Sequence, residues 1–341
     1  MDPQAPSNRD GHRPLGHRGE RIDASLYLHP QTLARLGSFE LRAKLIVEGV
    51  MSGQHRSPYT GYSVEFAQHR PYTPGDDLRH LDWKVFGRTD RLQIKQYQQE
   101  TNLDLVVLVD ASGSMTYGTR PFKEASGSGL EQSPGGGTQW SKYDHATALA
   151  AALGYITLQQ GDRVGLATFA TGLRSIVNRS SSRGTWRKIV EVLSGHPVDS
   201  ETNLGRVIDE ALGQIRGKCL IALISDCFDS EDVIRSALAR VRHRGHDLIA
   251  FQVLDETERT FDFTDNAPFE GCEGEGIVKV SPRAIRNDYI EQMEAHIDAV
   301  HRHCRGFGFD HEVVSTHDWL GPPLAAFVAR RDAQMKRSKY G

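Results

Sequence analysis

The sequence has few cysteines and no long apolar run. Its four cysteines, at positions 219, 227, 272 and 304, lie far apart without a CxxC pair, which argues against a zinc knuckle or a disulfide framework. No segment approaches the roughly 18 apolar residues that a membrane helix needs, and the polar N-terminus is unlike a signal peptide. We therefore expect a reduced, soluble, cytoplasmic protein without membrane insertion.

A strong charge imbalance is also missing. The chain has 41 Lys and Arg against 44 Asp and Glu, a formal net charge of −3, so electrostatics give no reason to expect nucleic-acid binding. The basic cluster near the C-terminus, Arg330, Arg331, Lys336 and Arg337, is explained more simply as the end of a solvated helix. A hydrophobic content of 38% with 25% charged residues indicates an ordinary globular protein.

The composition changes along the chain and predicts three parts. Residues 1–24 are rich in Pro, Gly, Arg and His and are predicted to form a disordered tail. Residues 25–100 are predicted to form a smaller N-terminal α+β region, which begins with an amphipathic pattern from Pro30. Residues 101–341 are predicted to form the main domain. Within it, residues 117–140 are a Gly/Ser-rich insertion that we expect to be flexible.

Strand and helix patterns alternate after Thr101. Strands are predicted over residues 103–109, 163–170, 173–178, 218–225, 247–254 and 311–315. Helices are predicted over residues 143–160, 184–194, 203–216, 230–243, 283–305 and 321–337, with Ser141 and Asp144 at capping-box spacing before the first. This alternation predicts a doubly wound, mostly parallel α/β sheet of the Rossmann-like kind.

Polar residues stand where these strands end. The first strand ends in Asp110-Ala111-Ser112-Gly113-Ser114, the fourth ends in Asp226, and Thr202 precedes a helix. Ligands bind beyond the carboxyl ends of strands in such sheets, so these side chains are expected to converge. A ligand set made only of oxygen suits a hard cation such as Mg²⁺, with Mn²⁺ or Ca²⁺ possible. The sequence thus predicts a metal site on Asp110, Ser112, Ser114, Thr202 and Asp226.

Simpler interpretations exist for each residue alone. A DxSxS string is common in strand-to-helix turns, Thr202 could be only a helix N-cap, and Asp226 only a solvated strand end. The coincidence of all of them at strand ends favours the metal site.

Two other kinds of site are alternatives. Asp110 could be the nucleophile of a metal-dependent hydrolase or phosphotransferase, but the sequence offers no lysine or general acid at a predictable spacing and no phosphate-binding glycine loop. A transition-metal site on His301, His303, Cys304 and His311 is less favoured than a solvated histidine-rich helix, because His301 and His303 do not share a helix face.

The set of Asp110, Ser112, Ser114, Thr202 and Asp226 resembles the metal-ion-dependent adhesion site of von Willebrand factor A domains. By that resemblance Ser112 and Ser114 coordinate Mg²⁺ directly, and Thr202 does so directly or through water. Asp110 and Asp226 act largely through water. A carboxylate from a partner protein then displaces a remaining water.

The upstream region resembles the bacterial "domain of unknown function fifty-eight" family. The resemblance covers roughly residues 30–335 and is carried by residues 61–66, by the PGDDLRHLDW string at 74–83 and by residues 87–90. That string is read either as scaffolding or as an interaction surface. The resemblance implies a non-enzymatic, Mg²⁺-dependent adaptor that works with a MoxR-type AAA+ ATPase in the assembly or activation of protein complexes.

Overall fold

The computed structural model describes residues 66–74, 81–97, 103–121, 139–195, 200–263, 268–272 and 276–340 of the chain. The predicted disordered tail, the amphipathic segment from Pro30 and most of the 117–140 insertion lie outside these residues. Among the described residues, no helix combines the length and apolar character that crossing a bilayer requires.

The strands and helices are numbered here in chain order. The strands are β1 (Phe66–Pro71), β2 (Gln93–Tyr97), β3 (Asp104–Asp110), β4 (Arg120–Pro121), β5 (Gln139–Trp140), β6 (Arg163–Phe169), β7 (Leu173–Ser180), β8 (Leu220–Ser225), β9 (Asp247–Leu254), β10 (Pro268–Glu270), β11 (Ile277–Lys279) and β12 (Asp310–Ser315). The helices are α1 (Trp83–Thr89), α2 (Lys142–Gln159), α3 (Arg183–Leu193), α4 (Leu204–Gln214), α5 (Glu231–His243), α6 (Glu256–Thr260), α7 (Pro282–Gly306) and α8 (Gly321–Tyr340).

A six-stranded sheet forms the centre of the main domain. Its strand order is β12-β9-β8-β3-β6-β7. All neighbouring pairs are parallel except β6 and β7, which are antiparallel. The order places β3, the first strand of the sheet, near the middle, with later strands added on both sides. This is the doubly wound, mostly parallel sheet that the sequence predicts.

The central strands are apolar on both faces because helices cover both faces. Every residue of β3 is buried, and its side chains alternate between two cores. Leu105 and Val107 pack in one core with residues of α2, α3 and α8. Val106 and Leu108 pack in the other with residues of α4, α5 and α7. The continuous hydrophobic run that predicts this strand therefore reflects burial from two sides.

The described part of the N-terminal region contains both kinds of secondary structure. Strands β1 and β2 pair antiparallel, and α1 lies between them in the chain. Asp82, near the end of the PGDDLRHLDW string, is the N-cap of α1 and accepts hydrogen bonds from the backbone N–H groups of Lys84 and Val85. Residues 75–80 of the string lie outside the described residues. Asp82 thus has a scaffolding role.

Candidate metal site

The loop that follows β3 is held at the carboxyl edge of the sheet by two neighbouring segments. The N–H of Ala111 donates to the carbonyl of Phe169 at the end of β6, at 2.7 Å. The N–H of Gly113 donates to the carbonyl of Ser200 at 3.0 Å. Residues Gly113–Thr116 then form a single 3₁₀ turn. These contacts bring the DxSxS loop against the segment that carries Thr202.

Four of the predicted ligands form one group at this edge, here called the oxygen cluster: Asp110, Ser112, Ser114 and Thr202. The hydroxyls of Ser112 and Ser114 lie 3.1 Å apart. The Thr202 hydroxyl is 3.5 Å from each of the two carboxylate oxygens of Asp110. Ser114 and Thr202 are half-buried, whereas Asp110 and Ser112 are fully buried. The oxygen cluster is therefore buried at Asp110 and Ser112 and accessible to solvent at Ser114 and Thr202.

Asp110 forms the floor of the oxygen cluster. Its carboxylate accepts the Ser225 hydroxyl at 2.5 Å and the Ser112 backbone N–H at 3.0 Å. Burial and the charge of Asp226 raise the pKa of Asp110 to about 7, although the hydrogen bonds from Ser225 and Ser112 lower it. An anion in this environment is stabilised by a nearby cation. The donor chemistry, only carboxylate and hydroxyl oxygen, fits Mg²⁺.

Asp226, the fifth predicted ligand, lies at the end of β8 and is 1% exposed. One carboxylate oxygen accepts the backbone N–H of Phe228 at 3.3 Å, and the other accepts the ammonium group of Lys142 at 2.9 Å. The next residue, Cys227, has a left-handed backbone with φ of 58°, which is uncommon for a residue with a side chain. Asp226 is therefore a partner in an ion pair and not a solvated strand end.

Lys142 is a residue beside the oxygen cluster that the sequence analysis did not identify. It is fully buried, and its ammonium group also contacts Glu258 at 2.8 Å and lies 4.9 Å from the centre of the Phe228 ring. Burial alone would lower the pKa of Lys142, but Asp226 and Glu258 raise it overall. We call Lys142, Asp226 and Glu258 the buried triad.

A weak sequence signal for Lys142 did exist. Ser141 caps α2 in the predicted capping box with Asp144, so Lys142 is the first residue of the helix. A cation at a helix N-terminus is disfavoured by the helix dipole. A lysine at this position therefore indicates a carboxylate nearby, although it does not identify which one.

Thr202 is not the N-cap of α4. That position belongs to Asn203, whose side chain accepts the backbone N–H of Arg206 at 2.9 Å. The hydroxyl of Thr202 instead faces Asp110. The simpler interpretation of Thr202 as a helix cap is thus wrong.

The histidine-rich segment has separate contacts. His303 pairs with Glu231 at 2.8 Å, His311 contacts the Gln252 side chain at 3.1 Å, and Cys304 is buried in the core. Within the part of the chain that the structure describes, no three His, Cys, Asp or Glu side chains are grouped to hold a metal ion.

The base of the 117–140 insertion is anchored at the same edge of the sheet. Strands β4 and β5 pair antiparallel, and the N–H of Lys142 donates to the carbonyl of Tyr117 at 2.8 Å. The Thr119 hydroxyl donates to Asp255 at 2.7 Å, and Asp255 also accepts the Thr316 hydroxyl at 2.7 Å. The insertion therefore starts and ends beside the buried triad.

Comparison with known proteins gives family information but no established activity. The family model described as "Protein of unknown function DUF58" matches residues 68–127 and 129–299. The chain is 27% identical over 328 residues to the uncharacterized protein Rv1480 of Mycobacterium tuberculosis and to the uncharacterized protein Mb1516 of Mycobacterium bovis, covering 94% of each chain.

Two solved structures are distantly similar to this chain. The conserved hypothetical protein BatB from Bacteroides thetaiotaomicron is 16% identical, with a TM-score of 0.42, and the match covers 69% of this chain and all of that one. The SpRpn10 VWA domain is 11% identical, with a TM-score of 0.34, and the match covers 65% and 93% of the two chains.

Proposed function

This chain belongs to the DUF58 family of proteins of unknown function, and from its oxygen cluster we propose that it is a non-enzymatic adaptor that binds a protein partner through Mg²⁺. Asp110, Ser112, Ser114 and Thr202 would hold the ion, with Asp226 in its outer shell. Mn²⁺ or Ca²⁺ could substitute, since both accept oxygen ligands.

The observation that carries this proposal is the convergence of three hydroxyls on one buried carboxylate at the carboxyl edge of the sheet. Hydroxyls are neutral ligands, so Asp110 is the single anionic member of the oxygen cluster. Magnesium keeps several waters in sites with few carboxylates. Ser114 and Thr202 are half-buried, which leaves a route from solvent to those waters.

The partner proposed for this site presents an acidic side chain. A carboxylate would replace one water on the metal and add the negative charge that the oxygen cluster lacks. The resemblance to the family implies a MoxR-type AAA+ ATPase or its client as the source of that side chain. We propose this partner class on the family resemblance alone.

A phosphoryl-transfer enzyme that uses Asp110 as nucleophile is the second candidate, and Lys142 gives it new support. Lys142 lies beside the strand-end aspartate Asp226, and the sequence analysis found no lysine at a predictable spacing. However, the Lys142 ammonium is enclosed by two carboxylates and a ring. The Asp110 carboxylate is fully buried and accepts hydrogen bonds from Ser112, Thr202 and Ser225. A nucleophile must reach its substrate, so this arrangement favours binding over catalysis.

The two candidates are separated by an assay for phosphoester hydrolysis. Turnover that requires Mg²⁺ and disappears in Asp110→Asn would support the enzyme. We expect no turnover above that of the Asp110→Asn variant.

The adaptor function is tested by a tagged pull-down from native extract. Wild type and Ser112→Ala are compared in Mg²⁺ and in EDTA, and the captured proteins are identified by mass spectrometry. We expect an ATPase or its client only with wild type in Mg²⁺. Ser112→Ala is a suitable probe because it removes one hydroxyl and leaves the ion pairs of the buried triad intact. Identical captures in all four samples would refute a metal-dependent adaptor.

A further inference from the structure

We infer that Lys142 is a positioning residue for the metal site, which holds Asp226 in the outer coordination shell and offsets its charge. The inference rests on the proposed function and adds a mechanism by which this chain keeps its own metal affinity low. The site then depends on the partner's carboxylate for tight metal binding.

The geometry of Asp226 is the first argument. Its two carboxylate oxygens accept hydrogen bonds from different donors. One bonds to the Lys142 ammonium at 2.9 Å and the other to the Phe228 backbone N–H at 3.3 Å. Its backbone carbonyl accepts the Gln252 side-chain amide at 3.0 Å. Moving Asp226 into direct contact with a metal would break the contact with Lys142. That contact is charge-assisted and almost fully shielded from water, which makes it expensive to break.

The position of Lys142 is the second argument. Its ammonium group does not reach solvent, because Asp226, Glu258 and the Phe228 ring enclose it and the Lys142 side chain is 0% exposed. Its backbone is fixed as well, through the N–H bond to Tyr117 at the base of the insertion. Lys142 is thus a permanent positive charge at the edge of the sheet, and not a mobile side chain.

The charge balance is the third argument. Asp110 ends β3 and Asp226 follows β8, its neighbour in the sheet, and Ser225, the residue before Asp226, donates a hydrogen bond to the Asp110 carboxylate. A divalent cation at this edge of the sheet is therefore attracted by both carboxylates. Lys142 offsets one of the three negative charges of Asp110, Asp226 and Glu258. Because Lys142 also holds Asp226 in an ion pair, Asp110 is the one carboxylate left as a direct ligand of the ion. Metal affinity in oxygen sites depends on the number of charged ligands, so the affinity of this site for a divalent ion is expected to be low.

The consequence is an affinity that a partner can change. A site with one effective carboxylate binds a divalent ion weakly, and an incoming carboxylate restores the second negative charge. Metal and partner then bind cooperatively, because each supplies the charge that the other requires. Removing the Lys142 charge should release Asp226 for direct coordination and make metal binding independent of the partner.

The test uses the full chain without a partner and Mn²⁺ as the probe. Mn²⁺ binding is followed by electron paramagnetic resonance, and the number of waters on the ion by water proton relaxation. For Lys142→Met we expect Mn²⁺ affinity to rise by at least about tenfold and one coordinated water to be lost. The Lys142→Met/Asp226→Asn double variant removes both charges and should return to within about threefold of wild type, because the gain acts through Asp226.

A second variant decides the matter if Lys142→Met does not fold. Asp226→Asn leaves Lys142 paired with Glu258, so no buried charge is left alone. We expect it to lose less than about tenfold in Mn²⁺ affinity, whereas Asp110→Asn should lose binding completely. An Asp226→Asn variant that loses binding as completely as Asp110→Asn would overturn the inference, as would unchanged or weaker binding by folded Lys142→Met.

The design separates this inference from the proposed function. If Mn²⁺ binding disappears in Ser112→Ala but is the same in Lys142→Met and wild type, only the role of Lys142 is refuted. If neither wild type nor any variant binds Mn²⁺, the metal-dependent adaptor is refuted and the inference falls with it.

Discussion

The ammonium nitrogen of Lys142 lies 2.9 Å from a carboxylate oxygen of Asp226, and both side chains are shielded from solvent. The two residues are 84 positions apart, at the start of α2 and at the end of β8. This pair joins the helix that follows the insertion to the strand end that borders the oxygen cluster. It has consequences for stability as well as for metal binding.

Loss of the Lys142 charge should destabilise the fold. Lys142→Met leaves the buried Asp226 and the half-buried Glu258 without their cation, and breaking a buried ion pair from one side costs about 3–5 kcal/mol. The free energy of unfolding is measured by urea denaturation followed by circular dichroism. Lys188→Met on the exposed face of α3 is the matched control and should change it by less than about 0.5 kcal/mol. A Lys142→Met protein as stable as the control would show that the buried triad contributes little.

Magnesium should stabilise the folded chain through the oxygen cluster. A ligand that binds only the folded state adds RT ln(1 + [L]/Kd), so about 10 mM Mg²⁺ at a Kd of about 1 mM gives about 1.4 kcal/mol. The shift in Tm is measured by scanning calorimetry with and without EDTA. Ser112→Ala should show no shift, and Ser175→Ala, at an exposed position on β7, should behave as wild type. An equal shift in Ser112→Ala would place the ion elsewhere.

Acid should destabilise the protein through two buried histidines. Burial lowers the pKa of His145 to about 3 and that of His311 to about 4. The unfolded chain binds these protons near pH 6.5 and the folded chain does not. The contribution of the two neutral histidines to the free energy of unfolding is therefore complete above about pH 6.5 and is lost as the pH falls below it.

Each such histidine contributes about 1.4 kcal/mol per pH unit below that point. Urea denaturation at pH 7, 6 and 5 should therefore show a shallower decline for His145→Gln than for wild type. His243→Gln, at an exposed position, should retain the wild-type decline. A His145→Gln protein with the wild-type decline would contradict the assignment.

Asp255 should hold the base of the insertion against the sheet. Its fully buried carboxylate accepts hydrogen bonds from Thr119, Thr257 and Thr316. Asp255→Ala would leave these donors unpaired, which lowers the free energy of unfolding by about 1–3 kcal/mol for each donor that remains buried. We expect faster proteolysis near Thr119, detected by limited digestion and mass spectrometry. Asp232→Ala, with a side chain 87% exposed, is the control, and equal digestion of both variants would refute this role.

The sequence by itself determined the order of the helices and strands in the main domain. The buried run of β3, the capping box of α2 and the long helix α7 are all local patterns, and the structure has them within a residue or two of the predicted bounds. The convergence of Asp110 and Thr202 could also be predicted, since Asp110 ends a parallel strand, Thr202 directly precedes a helix, and ligands bind beyond the carboxyl ends of the strands in such sheets. Short elements such as α6 were missed, because five residues carry too little periodicity.

Only the tertiary structure decided how the charges at that edge are paired. The contacts of Lys142 with Asp226 and Glu258, and of Asp110 with Ser225, join residues from different strands and helices. Such pairs depend on strand order and on which side chains lose water on folding, and neither leaves a periodic pattern in the chain. Lys142, which no sequence pattern singled out, is a fixed cation beside the oxygen cluster because the fold encloses it between two carboxylates.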